Sequence, residues 1–580
     1  MLFEFAIHFF VLFLRMQTFL LLLTILPFSL LGQWDQNTTP TYPELIEIYQ
    51  QWDAAHEEIE LYAMGNSDTE YPLYVCIING AKDSVATFQK AKSSTTVLIN
   101  NAIHPGEPDG VNASLLWIQD WIKKGKNTTD LPMIAIIPAY NVGGMLNRSS
   151  TSRANQEGPE EYGFRGNAQN LDLNRDFIKM DSENAKTLVS IYHALDPDVF
   201  VDTHVSNGAD YQYTLTLIHP MKERMAPSMK ALVYKDYIVE MTQKLKKKGW
   251  DWAPYVETKA TIPDSGIVAF NDTPRYAQGF GTLMNAFSIT VETHMLKPFP
   301  QRVKATKDYL NFLISWSGLN SAKIEQARSE ALNYFDQQNH YKFQFELDEQ
   351  QFDTIVFKGY QSAYKSSEVS GMRRLFYDRT QPFTKYIRYY HHYFAKDSVA
   401  IPAFYIVSKE AKAIIERLQW NQVEMKTMDS DTFLVHAQRI GSFASGSRPY
   451  EGHFLHTNVS SFETQDSIRI PKGSYLISTH QAKRNFIVSV LEPRTEDAYF
   501  AWNFMDSYVQ EKEYFSDYVF EDIAAKILKE QPELAKELSI QKNKNKKLAT
   551  EAWDQLFFVY KNSPYFEKST FNRLPVYKLY

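Results

Sequence analysis

Between Tyr42 and about Asn320 the apolar positions switch repeatedly between two periods. TYPELIEIYQQWDAAHEEI places apolar residues at three- and four-residue intervals, which predicts an amphipathic helix. YPLYVCIING, TTVLIN, PMIAIIPAYN, PDVFVDTH and NAFSITVETH are short apolar runs bounded by turn residues and predict strands. GVNASLLWIQDWIKKG, SENAKTLVSIYHAL, MKALVYKDYIVEMTQKLKKKG and KATKDYLNFLISWSG return to the helical period. Strands alternating with helices predict an α/β fold, with a mixed, largely parallel central sheet flanked by helices.

After about Ile324 the pattern changes. ARSEALNYFDQQ predicts a connecting helix. YKFQFELDE, DTIVFKGY, AFYIV, FLVHAQRI, DSIRIP and NFIVSVLEP are short strand-like segments and predict an antiparallel, β-rich second domain. From AWNFMDSY onward the tail is expected to be helical, and its basic run QKNKNKK reads as solvated surface. At the other end, Phe19–Leu31 is apolar within MQTFLLLLTILPFSLLGQ and is followed by polar WDQNTTP. That reads as a secretory signal peptide, with Met16 an alternative start to Met1. The expected organisation is a signal peptide over 1–32, an α/β domain over 33–322, a β-rich domain over 323–500 and a helical tail over 501–580. A secreted or periplasmic bacterial protein follows, with no stable membrane insertion once the leader is cleaved. No pro-segment is evident between Gly32 and Tyr42, so no zymogen is expected.

Composition narrows the chemistry. A chain of 580 residues exceeds one hydrophobic core. A formal charge of −7 supplies no basic field, so no nucleic-acid partner is expected. Cys76, in LYVCII, is the one cysteine, which excludes an intrachain disulfide and a zinc site built on several thiolates. Cys76 is expected in the core. Any metal site must draw on histidines and carboxylates.

Four places offer such groups. In VLINNAIHPGEPDG, His104 and Glu107 follow a strand and precede a helix. Three-residue spacing in a tight turn lets both side chains converge, and zinc accepts imidazole nitrogen and carboxylate oxygen. In PDVFVDTHV, His204 ends another strand and supplies a third ligand. Two histidines and a glutamate with an open position form a hydrolytic zinc arrangement. In NLDLNRDF, Asp172, Asn174 and Arg175 lie together, and Arg175 offers a fork for a carboxylate such as a peptide C-terminus. In AFSITVETH, Glu292 ends a further strand, where a carboxylate suits a general base. Sites in open α/β sheets form at such carboxyl ends.

The order HPGE, NR, strand-His and strand-Glu resembles the M14 zinc carboxypeptidases, the carboxypeptidase A-like metallopeptidases, over about Tyr42 to Asn320. The resemblance implies that 33–322 is a zinc peptidase domain holding one Zn2+ through His104, Glu107 and His204. It implies Glu292 as the catalytic glutamate, Asn174 and Arg175 as the grip on the substrate's terminal carboxylate, and Asp172 as the carboxylate orienting a ligand histidine. It further implies an arginine that polarises the scissile carbonyl, for which Arg153 is preferred over Arg148. It also implies a tyrosine shortly before the glutamate, for which Tyr276 is preferred over Tyr255. The implied substrate is a peptide with a free C-terminus. Two positions depart from the family pattern: NVGG at Asn141–Gly144 stands where the family often shows Asn-Pro-Asp-Gly, and Asp176 follows the NR pair where digestive members usually have Asn. The β-rich half resembles C-terminal extensions of some bacterial members. Other readings are a zinc amidase or peptidase acting on cell-wall muropeptides or acylated amino acids, and an inactive peptidase fold that binds a partner. His453 with His456, and His391 with His392, lie in the β-rich part without an evident converging carboxylate and are read as structural or surface residues.

Overall fold

The computed structural model describes residues 34–580. The leader expected over 1–32, and the choice between Met1 and Met16, lie outside the described residues. The chain forms two compact units. The first runs through Ala400 and takes in Arg417–Gln422 and Ala482–Ile487; the second comprises Ile401–Glu416, Val423–Gln481 and Val488–Tyr580.

The first unit is built on a mixed sheet flanked by helices. Its strands are β1 (Ile59–Asn66), β2 (Pro72–Ile78), β3 (Thr96–Asn100), β4 (Met133–Ile137), β5 (Val199–Ser206), β6 (Leu215–Ile218) and β7 (Trp252–Pro254). Two short strands, β8 (Glu257–Thr258) and β9 (Ile267–Val268), precede β10 (Phe287–His294). The main sheet runs β1-β2-β4-β3-β5-β10-β6-β7. Pairings β3–β4, β3–β5, β5–β10 and β6–β7 are parallel, and the other three are antiparallel. Every residue of β3, β4 and β5 is buried, the signature of strands covered on both faces. Cys76 lies in this core, fully buried.

The first helix, Tyr42–Ala55, starts at a capping box between Thr41 and Glu44. It stops at His56 instead of running on to Ile59 as its pattern predicted, because Ile59 begins β1, which pairs with β2 from Ile59↔Ile78. Edge strand β1 alternates weakly, which hides it from a period-2 reading.

The chain leaves β3 to form β4 on one side and returns to place β5 on the other. That reversal opens a crevice beyond the carboxyl ends of β3 and β5. Asp109, in the first turn of helix Asp109–Lys123, is fully buried. The Arg302 guanidinium donates to both its oxygens, at 3.1 and 3.3 Å, and Thr293 donates a further bond. Burial pushes the Asp109 carboxyl up, and Arg302 opposes that shift. Removing the cation strands the buried carboxylate, so Arg302→Met is expected to destabilise the protein by about 3–5 kcal/mol in denaturant unfolding. A loss below about 1 kcal/mol would show that this pair does not hold the fold.

The first unit also carries β11 (His340–Leu347), β12 (Asp353–Ser366), β13 (Arg373–Tyr390) and β14 (Tyr393–Ala400). β12 and β13 form a long hairpin, and β13 pairs with β9. The stretch expected as one β-rich domain over 323–500 is thus divided between the units. Within the first unit β13 pairs with β9, and in the second the tail strand Arg573–Leu579 pairs with strands Phe404–Val407 and Asp431–Ser445.

The second unit has a six-stranded sheet of β15 (Phe404–Val407), β16 (Lys426–Thr427), β17 (Asp431–Ser445), β18 (His456–Ile470), β19 (Tyr475–Ser478) and β20 (Arg573–Leu579), in the order β16-β19-β15-β20-β17-β18. Helices Asp517–Glu530, Pro532–Lys544 and Ala552–Lys561 meet around Phe520, Ile527, Leu538, Val559 and Tyr560. Two expectations are corrected. NFIVSVLEP is a helix, Arg484–Leu491, not a strand; Phe486, Ile487, Val488, Val490 and Leu491 are all buried, and a run apolar on every side carries no period. The tail is not helical throughout, since RLPVYKL forms β20 between β15 and β17. No helix among the described residues is long and apolar enough to cross a membrane.

Candidate metal centre

The loop after β3 is pinned at nearly every residue. Ala102 turns the chain through a left-handed conformation, φ 55°. Asn101 O and Ala102 O accept from the backbone N–H groups of Tyr140 and Asn141. The Asn141 side chain donates to Ile103 O at 3.2 Å and Arg165 O at 3.0 Å, and accepts from Gly144 N–H at 2.8 Å. The NVGG departure therefore holds the loop in place and contributes no group to the cleft. Glu107 N–H donates to His104 O at 2.8 Å and closes the turn. Gly106 is required there, because a Cβ would lie 2.7 Å from Arg153 Cδ.

Strand register brings the other groups to the same place. In the parallel pair β5–β10, His204 lies opposite Glu292. His204 Nδ1 is 3.1 Å from Glu107 Oε2, and His104 Nδ1 is 3.4 Å from Glu107 Oε1. The two rings stand 5.0 Å apart, edge to face. One donor atom from each of His104, Glu107 and His204 falls within 4.8 Å of the others. Each distal nitrogen is taken by a carboxylate: His104 Nε2 by Asp172 at 2.9 Å, and His204 Nε2 by Asp202 at 2.6 Å. Those bonds aim both Nδ1 atoms at one point. His104 Nδ1 is buried with no hydrogen-bond partner among the described residues, as a ligand atom facing a cation would be. The donor set, two imidazoles and a carboxylate, fits a divalent zinc-class ion.

Electrostatics agree. Burial opposes ionisation of Glu107, but Arg153 and His104 override it and hold the carboxyl well below its usual range. Asp172 behaves likewise, with His104 and Arg165 overcoming burial. Burial disfavours a charged His204, yet Asp202 and Glu107 raise its pKa well above the ordinary value. Glu292 keeps some contact with cleft solvent. Burial pushes its carboxyl up to about 8, and the negative Glu107 adds to that shift.

These groups line a cleft of about 480 Å³ that also includes Arg153, Arg165, Asn174, Arg175, Tyr255, Asp272 and Tyr276. Asn174 Oδ1 accepts from Ala277 N–H at 2.8 Å, tying the turn Leu173–Arg175 to the helix that begins beside Tyr276. The Arg175 guanidinium lies over the Tyr276 ring, 4.5 Å from its centre. Tyr255 reaches the same cleft, so the structure brings both candidate tyrosines to the site. Asp176 turns away: it is buried, takes the Lys179 ammonium at 2.8 Å and caps Ser182 N–H at 2.9 Å. Its charge is thereby matched.

The arginines sort by their partners. Arg148 binds Pro40 O, Thr39 O and Glu161 O and lies outside the cleft lining. Arg153 is in the cleft, with Nη1 on Glu107 at 2.6 Å, Nη2 on Val205 O at 2.9 Å and Nε on Gln156 at 2.7 Å. Arg165, which the pattern did not single out, bonds Asp172 through Nε and Nη2, while its Nη1 lies 3.6 Å from Glu107 in a side chain 46% exposed. Should the centre prove hydrolytic, Arg165→Ala is expected to lower kcat about 10²-fold or more in steady-state assays, with Arg148→Ala near wild type. The reverse ranking would exclude Arg165 from the reaction.

Three residues escaped the sequence reading. Asp202 was detectable, since residues two apart on a strand share a face and DTH puts it beside His204. Arg165 was not, because the loop that folds it onto Asp172 has no periodic signal. Asp272, buried with Oδ1 unpartnered among the described residues and its pKa raised to about 7 by burial, also comes from a loop.

The two histidine pairs differ. His456 is buried between Ser445 and Asp506, each 2.9 Å away, so one carboxylate does reach this pair, but only one of its histidines, which suits a structural role. For His391 and His392 the expectation of no converging carboxylate is overturned: Asp353 lies 2.6 Å from His391 Nε2 and 3.8 Å from His392 Nε2. The long β12–β13 pairing brings it there from 38 residues away.

No family model matches the chain, and no curated protein matches it. Among solved structures, it is similar to a putative carboxypeptidase A from Shewanella denitrificans, at 15% identity over 49% of this chain and 69% of that one, TM-score 0.36. It is also similar to carboxypeptidase A from Helicoverpa armigera, at 15% identity over 52% and 75%, TM-score 0.36. A metallo-carboxypeptidase from Pseudomonas aeruginosa in complex with (2-guanidinoethylmercapto)succinic acid is similar at 14% identity over 49% and 68%, TM-score 0.34.

Proposed function

We propose that this protein is a secreted, zinc-dependent metallocarboxypeptidase that removes the C-terminal residue of peptides. The observation that carries the reading is the convergence of His104 Nδ1, Glu107 and His204 Nδ1, each imidazole backed by a carboxylate, beside Glu292. His104, Glu107 and His204 would hold one zinc ion, which when bound supplies a Lewis acid that acidifies a water near neutral pH. Glu292 takes the proton of the attacking water and passes it to the leaving amine nitrogen. Arg165 meets the charge that develops on the carbonyl oxygen, in place of Arg153, to which the resemblance assigned that role; Arg153 has its three nitrogens occupied and positions Glu107. Asn174 and Arg175 receive the substrate's terminal carboxylate, with Tyr276 stacked under the guanidinium. Asp172 and Asp202 fix the ring orientations of His104 and His204.

That grip requires a free carboxylate. A peptide and its C-terminal amide are expected to differ by about 10- to 100-fold in kcat/KM with wild-type protein, and the gap is expected to close in Arg175→Ala. Equal rates on acid and amide with wild type would replace an exopeptidase by an enzyme of muropeptides or acylated amino acids. Inertness of the zinc-loaded protein toward all three substrate classes would leave a binding protein.

A further inference from the structure

The turn between β13 and β14 carries His391 and His392, and the hairpin register delivers a carboxylate to it. Asp353 opens β12 directly opposite Tyr389, near the end of β13. Its side chain therefore reaches the turn just beyond. Asp353 Oδ2 is 2.6 Å from His391 Nε2, and Oδ1 is 3.8 Å from His392 Nε2. The two imidazole centres stand 4.4 Å apart. Donors bonded to one tetrahedral zinc-class ion at about 2.0–2.2 Å lie about 3.3 Å from each other, and the observed separations straddle that value. One histidine would suffice for a plain Asp–His hydrogen bond. Here both oxygens of one carboxylate face a separate Nε2.

The donors sit on held backbone. His391 is buried and stacks on Tyr389 at 4.5 Å with the ring planes 4° apart. His392 O accepts from Asp348 N–H at 2.8 Å. The Asp353 side chain is 59% exposed and that of His392 31%, so an ion has a path in and a coordination position left for water.

We propose that Asp353, His391 and His392 form a second site for a divalent zinc-class cation, separate from the centre at His104, Glu107 and His204. Lys222 lies close enough to act on Asp353 and His391, and its positive charge opposes a cation, so this site binds more weakly than the buried centre. The site has a structural consequence. Tyr390 O accepts from Ala269 N–H at 2.8 Å, and the Tyr393 hydroxyl donates to Ala269 O at 2.6 Å. Ala269 adjoins Phe270, which lines the cleft. A cation in the turn would hold β12, β13 and the cleft wall together.

The full chain, dialysed against zinc alone at buffered free concentration, is compared with His392→Ala and Asp353→Asn by elemental mass spectrometry. Each variant is expected to bind about one zinc equivalent fewer than wild type. Asp353→Asn keeps the shape and a hydrogen-bonding group toward His391, so it serves if His392→Ala melts lower in chelator. Both changes leave His104, Glu107, His204 and Glu292 intact, so the reading does not depend on whether the first centre is catalytic. Equal zinc in wild type and variants at every free concentration overturns the site.

Discussion

Replacing Glu292 with glutamine is expected to lower kcat for release of a C-terminal residue by about 10²- to 10⁴-fold, with KM and zinc content unchanged. Glutamine fills the same volume but cannot carry a proton between water and the leaving nitrogen. The position makes the effect large. Register sets Glu292 beside His204, in a cleft where burial raises its carboxyl to about 8. A cation held at His104, Glu107 and His204 would draw that value down and favour the ionised base. Loss of a buried charge is not expected to weaken the fold. A Glu292→Gln variant within about threefold of wild type would remove this residue from the reaction.

The second large effect concerns metal retention. His204→Ala is expected to weaken zinc binding at the buried centre by more than about 100-fold, and Asp202→Asn by about 10- to 100-fold. The difference reflects position: His204 Nδ1 faces the donor cluster, whereas Asp202 holds the far nitrogen of the same ring at 2.6 Å. An unoriented imidazole still binds; a missing one does not. Competition with a chromogenic chelator measures both, in protein that also carries Asp353→Asn so that only the buried centre is counted. Wild-type affinity in His204→Ala would mean that the three residues share no ion.

The elements that position the site were legible because their strands are short, fully buried runs that end in polar residues. TVLIN, VFVDTHV and FSITVETH each announce a strand and the group at its carboxyl end. Parallel packing then places those ends side by side, so His104, His204 and Glu292 meet although nearly 190 positions separate the first from the last. What was illegible lies in loops and long-range pairing. Arg165 reaches Asp172 through a turn without period. Asp353 reaches the two histidines through a hairpin register that no local pattern announces. NFIVSVLEP, buried on every side, gave no period to separate helix from strand.

Purified protein is stripped with chelator, divided, and incubated with a pool of free-acid peptides with and without added zinc, and the products are read by mass spectrometry. Loss of single C-terminal residues is expected in the zinc-restored sample, and intact peptides in the stripped one. Equal cleavage in both samples, or cuts confined to internal bonds, would contradict zinc-dependent removal of C-terminal residues.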